Sequence, residues 1–351
     1  MRLMCLAAMA LVLLAAAAPA GALPSYDVNV LGRLPAGNYR AASVEDGKAV
    51  YLFGGRDESN VTASVVRYDL RTGAASPAPF SLPQPRMSAC AVLDGKSAYV
   101  FGGADGGLEL DTILRLDLAS GNVTTLEARL PSPRIGLAAA VFKGSAYIFG
   151  GHSNGTKITN ITRFDLSTGK VSLMGASLPT GRAGMGIAAT AKGIHLFGGK
   201  TDPGASDEVL FYDPARDNLA VLHGRLPYTV YHASAAASGG RVLLIGGSAQ
   251  PAGQNVSRAT DTIVEFDPAT GASRILPERL PSPRERSSAA RDGGRVLVFG
   301  GQEGVKALDE IVAISASGGA SPEDAGMWPA AVAAAFLVPA AVALFVIGRR
   351  R

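Results

Sequence analysis

Four arginines occupy the same place in a motif that recurs along the chain. The motif reads LPQPR, LPSPR, LPTGR and LPSPR, and its arginines are Arg86, Arg134, Arg182 and Arg284. A guanidinium at such a place can contact a ligand, or it can donate hydrogen bonds to backbone carbonyls and tie one repeat to the next. Repetition favours the structural role, and the four arginines also stay on the list of candidate ligand contacts.

Other charged and aromatic side chains near the motifs do not repeat, so the fold itself does not demand them. These further candidates are Tyr39, Arg56, His152, Lys200, Tyr231, His232, Glu285, Arg286 and Glu303. Polar side chains on loops held by a rigid scaffold are a common basis for recognition. With the four arginines, they form the predicted ligand-binding face.

The histidines do not predict a metal centre. His195 replaces an apolar column that Tyr51 and Leu243 fill in other repeats, and His223 lies on a predicted outer strand. Only His152 and His232 could share a surface, and two ligands are fewer than a zinc site needs. We therefore expect no metal and no cofactor.

A predicted strand that ends in a glycine pair occurs six times, as in YLFGG, YVFGG and YIFGG. The first glycines are at positions 54, 102, 150, 198, 246 and 300, so five spacings of 48, 48, 48, 48 and 54 residues separate them. A fixed period of this size indicates a repeat architecture. The longer spacing comes from six extra residues in the loop SAQPAGQNVSRAT of the fifth repeat.

Each repeat predicts four antiparallel strands. A small-residue strand follows the LP motif, the strand with the glycine pair comes next, and a third strand ends in an Asp in five copies: Asp69, Asp117, Asp165, Asp213 and Asp267. One such sheet cannot bury both faces, and radial stacking of four-stranded sheets gives a β-propeller. We predict an all-β, six-bladed propeller.

The sixth repeat lacks a fourth strand, because SASGGASPEDAG follows its third. Residues 26–33 read as a strand placed before the first LP, and Val30 takes the column of Leu126 and Leu276. We expect this segment to complete the last blade and remove an open edge.

The glycine pairs, the LPxPR motif and the 48-residue unit resemble kelch repeats over residues 26–315. The fourth-strand Trp usual in kelch units is missing, since the only Trp is Trp328. The resemblance implies that partners bind where each first strand begins and each second strand ends. We call this the top face, and the other the bottom face.

The two ends of the chain indicate export and anchoring. Residues 1–22 have the pattern of a signal peptide, and residues 327–348 form an uncharged stretch long enough to span a bilayer. Between them we expect the propeller at 23–315 and a linker at 316–326, with a cytoplasmic tail at 349–351. The arginines of that tail place the rest of the chain outside the cell.

Charge and cysteine content narrow the function classes. The chain carries 33 basic and 29 acidic residues, but four basic ones lie in the two end segments, so the ectodomain is neutral. This argues against a nucleic-acid partner. Only Cys90 remains after signal-peptide removal, which leaves no intramolecular disulfide.

Five of the chain's Asn residues begin an N-x-S/T sequon, which supports a surface glycoprotein. They are Asn60, Asn122, Asn154, Asn160 and Asn255. All except Asn122 lie after a second strand, so glycans there would shield the top face in blades one, three and five.

These observations favour a monomeric, single-pass membrane protein whose propeller binds a protein or glycan partner at the cell surface. Two alternatives stay open. One is an enzyme resembling the kelch-type sialic-acid mutarotases, with Arg286, Glu285 and Glu303 in a polar funnel; the other is a ligand-free envelope protein. A kelch-type copper oxidase is disfavoured because Cys90 lies in an apolar strand, and sialidase boxes are absent.

Overall fold

The computed structural model describes residues 25–250 and 256–317. Strand β1 (Ser25–Arg33) comes first, and blade one follows with β2 (Ala42–Glu45), β3 (Ala49–Phe53), β4 (Ser64–Asp69) and β5 (Ala75–Ser81). Blade two contains β6 (Cys90–Asp94), β7 (Ser97–Phe101), β8 (Thr112–Asp117) and β9 (Val123–Arg129). Blade three contains β10 (Ala138–Phe142), β11 (Ser145–Phe149), the short hairpin β12 (His152–Ser153) and β13 (Thr156–Lys157), then β14 (Asn160–Asp165) and β15 (Val171–Ser177).

The second half of the chain repeats this plan, with a longer top-face loop in blade five alone. Blade four contains β16 (Gly186–Thr190), β17 (Gly193–Phe197), β18 (Glu208–Asp213) and β19 (Asn218–Arg225). Blade five contains β20 (Thr229–Tyr231), β21 (Ser234–Ser238), β22 (Arg241–Ile245), β23 (Ser248–Gln250), β24 (Arg258–Phe266) and β25 (Ser273–Arg284). Blade six contains β26 (Ser288–Asp292), β27 (Arg295–Phe299), the hairpin β28 (Gln302–Glu303) and β29 (Lys306–Ala307), and β30 (Glu310–Ser317).

The N-terminal strand closes the ring, as predicted. β1 pairs antiparallel with β30, from Ser25 opposite Ser317 to Arg33 opposite Glu310, and the last sheet has the order β1-β30-β27-β26. The six first strands β2, β6, β10, β16, β21 and β26 contact one another in sequence around the axis, and β26 contacts β2. The all-β, six-bladed propeller with four antiparallel main strands per blade is therefore confirmed.

The core is divided into six apolar layers, one between each pair of neighbouring blades. Second strands supply both sides of it: in β3, Tyr51 and Phe53 face blade two, while Val50 and Leu52 face blade six. All five residues of β3 are buried. A blade consequently has no stable form without its neighbours, which explains why the ring must close.

The glycine pairs are required where adjacent blades touch. Both glycines of every pair have positive φ. A Cβ on the first glycine would lie under 3.0 Å from a backbone carbonyl of the next blade, which is that of Arg182 for Gly150. The second glycine, here Gly151, donates its N–H to the same carbonyl at 3.0 Å. The pair therefore combines a left-handed turn with an inter-blade hydrogen bond that a side chain would prevent.

One register prediction is wrong. Val30 was expected in the core column of Leu276, but it lies opposite Val312 and is 48% exposed, whereas Leu276 is fully buried. Every fourth strand has an irregularity at this place. β1 advances three residues there, from Val30 to Arg33, whereas β15 advances four, from Leu173 to Ser177. A difference of one residue turns a side chain to the other face. Tyr26 and Val28 fill the core of the last blade instead.

No helix among residues 25–250 and 256–317 is long and apolar enough to cross a membrane. The expected signal peptide at 1–22 and the expected span at 327–348 both lie outside the described residues.

Candidate functional site

A closed ring of backbone hydrogen bonds surrounds the propeller axis on the top face. It is built by the residue two places after each motif arginine or its equivalent, and we call these six residues the ring residues: Arg40, Ser88, Gly136, Gly184, His232 and Arg286. Each donates its N–H to the carbonyl of the ring residue in a neighbouring blade, at 2.7–2.9 Å. The six bonds fix the geometry of the opening.

Every ring residue has a left-handed backbone, with φ between 54° and 66°. Gly136 and Gly184 adopt this conformation without strain, whereas a residue with a Cβ is destabilised there by roughly 1–2 kcal/mol. The chain nevertheless places Arg40, His232 and Arg286 at three consecutive blades, five, six and one. The ring therefore carries basic side chains in blades five, six and one and small residues in blades two, three and four.

A cavity of about 410 Å³ opens at the centre of this ring. Besides the ring residues, its lining includes an apolar part formed by Ile135, Leu137 and Met185. Four cationic side chains also line it, Arg40, Lys157, Lys200 and Arg286. The imidazole of His232 packs over Gly184, where an added Cβ would lie under 3.0 Å from its Cδ2.

Glu285 is the acidic group on the basic side of the cavity. It forms a salt bridge with Arg286, and its Oε2 lies 3.7 Å from Nδ1 of His232. Burial raises the pKa of Glu285, but His232 and Arg286 outweigh it, so the pKa lies below its ordinary value. Burial lowers the pKa of His232, which is therefore neutral at pH 7.

Arg40 has no such carboxylate partner. No salt bridge within residues 25–250 and 256–317 joins it to an acid, and its guanidinium donates a weak hydrogen bond from Nη1 to Sδ of Met87 at 3.9 Å. Burial lowers the pKa of Arg40, and the positive charge of Arg286 lowers it further. Nε of Arg40, Nε of Arg286 and Nδ1 of His232 are all buried without a hydrogen-bond partner.

The comparisons with known proteins agree with this architecture. A family model described as the KLHDC2/KLHL20/DRC7 Kelch-repeats domain matches residues 38–247. The chain belongs to the kelch-repeat family. A solved structure described as "Structure of YjhT" is similar to this kelch propeller with a TM-score of 0.71 and 18% identity, covering 82% of this chain and 97% of that one. The search of curated proteins returned no match.

The four motif arginines of the kelch repeats are not surface residues. Arg86, Arg134, Arg182 and Arg284 are at most 1% exposed. Each donates to the carbonyl of the first glycine of its own blade, for example from Nη1 of Arg284 to Gly300 at 3.1 Å. Its own carbonyl accepts from the second glycine of the preceding blade. Their inclusion among ligand contacts is therefore corrected, because the blade-to-blade hydrogen bonding that buries them leaves no accessible surface.

The remaining predicted side chains divide into two groups. His152, Lys200, His232 and Arg286 line the cavity, and Glu285 contacts two of them. Tyr39, Arg56, Tyr231 and Glu303 lie outside its lining. Tyr39 is 7% exposed and packs under the guanidinium of Arg56, 5.7 Å from the ring centroid; Tyr231 lies 5.3 Å from Nζ of Lys200.

Sequence reasoning missed Arg40 and Lys157. Arg40 stands in a column that also holds Gly136 and Gly184, and two glycines in one column of a repeat indicate a positive φ. That column was visible in the sequence as the second residue after the motif. Lys157 carried no signal, because the residues at its place in other blades, Val61, Glu109, Ala205 and Ala307, share no residue type with it, and only the β12–β13 pairing brings it to the cavity.

The chemistry available at this cavity is recognition by charge. No group of three or more His, Cys, Asp or Glu side chains in the described part of the chain could hold a metal ion. His195 is buried among Phe197, Phe211 and Phe266, as its apolar column predicts. Cys90 is buried in a first strand, and burial raises the pKa of its thiol, which makes it unreactive.

Proposed function

We propose that this kelch propeller is a surface-held binding module that recognises a protein or glycan partner with its top face. The observation that carries the proposal is the concentration of non-repeated polar side chains around one cavity on that face. A repeat fold needs none of these residues for stacking, since glycine serves the ring in blades three and four. Polar side chains that the repeat does not require are best explained by recognition of a partner.

The chain ends support this orientation. β30 begins beside the glycine pair of blade six and runs to Ser317, which pairs with Ser25. Both ends of the propeller therefore leave from the bottom face. The proposed linker from Ser317 to residue 327 reaches at most about 35 Å when extended. With an anchor at 327–348, the tether is attached on the side opposite the cavity, and the top face stays available to partners.

The proposed glycans would frame this face. Asn60, Asn154 and Asn160 are exposed on its loops, and Asn160 is the first residue of β14. Asn154 lies at the tip of the β12–β13 hairpin, next to cavity residues His152 and Lys157. Asn255 lies outside the described residues. A glycan on Asn154 would stand at the rim of the cavity and limit the size of what enters.

Proximity labelling on intact cells, together with a glycan array probed with the full-length protein, tests the proposal. Lys200→Ala removes an exposed top-face charge, and Lys96→Ala removes an exposed charge from the β6–β7 turn on the bottom face. We expect Lys200→Ala to weaken capture of the partner and Lys96→Ala to leave it unchanged. Equal loss in both variants would contradict recognition by the top face, and no partner by either method would support a ligand-free envelope role.

A second candidate, interconversion of sugar anomers of the sialic-acid type, is favoured by one contact. The Glu285 carboxylate lies 3.7 Å from the neutral imidazole of His232, which lines the cavity, and ring opening of a sugar needs a proton donor and an acceptor. Exchange NMR on sialic acid would show faster anomer exchange with the native protein than with Glu285→Gln. An unchanged exchange rate would exclude this candidate.

A further inference from the structure

We infer that the cavity inside the ring binds the carboxylate of a small organic anion, held between Arg40 and Arg286. This inference rests on the proposed function, because it names the chemical group that the top face recognises. Three independent observations support it: backbone strain at the ring, buried nitrogens without a hydrogen-bond partner, and the charge of the cavity lining.

The strain shows that side chains at the ring are retained against the preference of the backbone. All six ring residues have φ between 54° and 66°, and Gly136 and Gly184 show that glycine completes the ring. Arg40 and Arg286 meet the same backbone requirement with a strained conformation. Strain of this kind at non-glycine residues concentrates at functional sites.

Three buried nitrogens at the ring lack a hydrogen-bond partner. Nε of Arg40, Nε of Arg286 and Nδ1 of His232 are buried and have no hydrogen-bond partner, and they belong to neighbouring blades around the same opening. Unpaired buried donors are costly, and an acceptor that reached them would remove that cost. A carboxylate offers two oxygens and matches the fork of a guanidinium in a bidentate pair.

The charge balance favours a monoanion. The cationic lining residues are Arg40, Lys157, Lys200 and Arg286. Asp202 pairs with Lys157 and Glu285 with Arg286, which leaves Arg40 and Lys200 without a carboxylate within residues 25–250 and 256–317. Glu109, 3.2 Å from His152, offsets one of these charges. With histidines counted as neutral, one positive charge remains, which suits a carboxylate better than a phosphate of nearly two negative charges.

The rest of the lining sets the size and character of the ligand body. Ile135, Leu137 and Met185 form an apolar patch on the side of the small ring residues, across from Arg40 and Arg286. A volume of about 410 Å³ takes a molecule of monosaccharide or short aliphatic size and not a folded domain. A free acid and an acid at the end of a longer chain would present the same carboxylate.

Titration of full-length protein with defined probes tests this inference. We would follow binding by calorimetry with D-glucuronate and pentanoate as carboxylates, D-glucose as the neutral sugar and inorganic phosphate as the dianion. We expect at least one carboxylate to bind, at least tenfold more tightly than glucose and phosphate, with affinity falling at higher salt. Tighter binding of glucuronate than of pentanoate would identify a sugar acid, and the reverse order an aliphatic acid.

The ring provides matched variants. Arg40→Gly reproduces what the chain already has at Gly136 and Gly184, so its thermal unfolding should be unchanged or shifted upward, whereas Arg286→Gly also removes the ion-pair partner of Glu285 and should unfold at a lower temperature. Each should weaken the carboxylate at least tenfold. Lys143→Gly also removes a positive charge from a residue with positive φ, but in the exposed β10–β11 turn on the bottom face, and binding should stay within twofold of the native protein.

The failures of the two proposals are distinguishable. If the carboxylates bind no better than glucose, or if Arg40→Gly and Lys143→Gly behave alike, the anion site is wrong, while capture of a partner in the proximity-labelling experiment would leave the binding module intact. If the carboxylates bind as expected and no partner is captured, the cavity serves a soluble small acid, and the surface-recognition role is the part that fails.

Discussion

His195 should make the stability of the propeller depend on pH. Its imidazole is 3% exposed and lies 4.9 Å from the ring of Phe211 and 5.5 Å from that of Phe266. Nδ1 has no hydrogen-bond partner. Burial, helped by the charge of Lys192, lowers the pKa of His195 from 6.5 to about 4. The folded protein therefore keeps this histidine neutral at pH values where an unfolded chain protonates it.

The direction and size of the effect follow from linkage. Because the folded pKa lies below the unfolded one, the stabilisation is complete above pH 6.5 and is lost as pH falls from 6.5 toward 4. One pKa unit corresponds to about 1.4 kcal/mol. At pH 5 the unfolded imidazole is almost fully protonated and the folded one is not, so we expect this group to lower the free energy of unfolding by ~2 kcal/mol relative to pH 8.

Urea unfolding of the native protein and of His195→Leu, followed by circular dichroism at pH 8 and pH 5, measures this contribution. Leucine is chosen because Leu243 and Leu297 fill the same column in blades five and six, where both are buried. We expect the two proteins to differ by less than about 1.5 kcal/mol at pH 8. Between pH 8 and pH 5, the native protein should lose ~2 kcal/mol more than the variant.

A matched control is His223→Gln, which alters an exposed histidine on β19 and should leave the pH dependence of the native protein unchanged. The reasoning is refuted if His195→Leu loses as much stability between the two pH values as the native protein does. That result would mean that His195 is protonated inside the folded core or that it is not buried there.

Three further outcomes follow from the packing. Deleting residues 25–33 should abolish cooperative unfolding of the entire propeller, seen by circular dichroism, because β1 completes the last blade; loss confined to one blade in hydrogen exchange would contradict this. Gly150→Ala should destabilise by at least about 2 kcal/mol more than Gly144→Ala, since both have positive φ but only the first clashes with the next blade. Tyr26→Phe should cost about 1–3 kcal/mol in urea unfolding, as its hydroxyl donates to buried Glu265 at 2.5 Å; an unchanged midpoint would show that this bond is not formed.

The architecture was predictable because the repeats share sequence features that mark where their strands begin and end. The glycine pairs marked the ends of second strands, and their positive φ values are what a turn beside a neighbouring backbone requires. The Asp that ends the third strand fixes the turn after it: Asp165 accepts from the N–H groups of Ser167 at 3.1 Å and Thr168 at 3.0 Å. The Ser167 hydroxyl and these two N–H groups hold the pKa of Asp165 at about 2.

Register within β1 was not predictable, because a bulge has no clear mark in the sequence. Counting back from the LP motif put Val30 in the core, but the bulge of β1 has one residue fewer than that of β15, and Val30 therefore turns outward. A one-residue difference in a strand exchanges its faces, and the irregularity depends on pairing with β30.

The sequence by itself established the repeat, the number of blades and the closing strand, since periodic apolar and glycine columns reflect contacts that every blade makes in the same way. Only the tertiary structure decided the site. Arg40 and Arg286 are 246 positions apart along the chain, and ring closure makes them hydrogen-bonded neighbours. Whether a motif arginine is exposed or buried likewise depends on a carbonyl in its own blade and a glycine in the preceding one. Such contacts arise from the closed geometry of the six blades, which no local sequence pattern encodes.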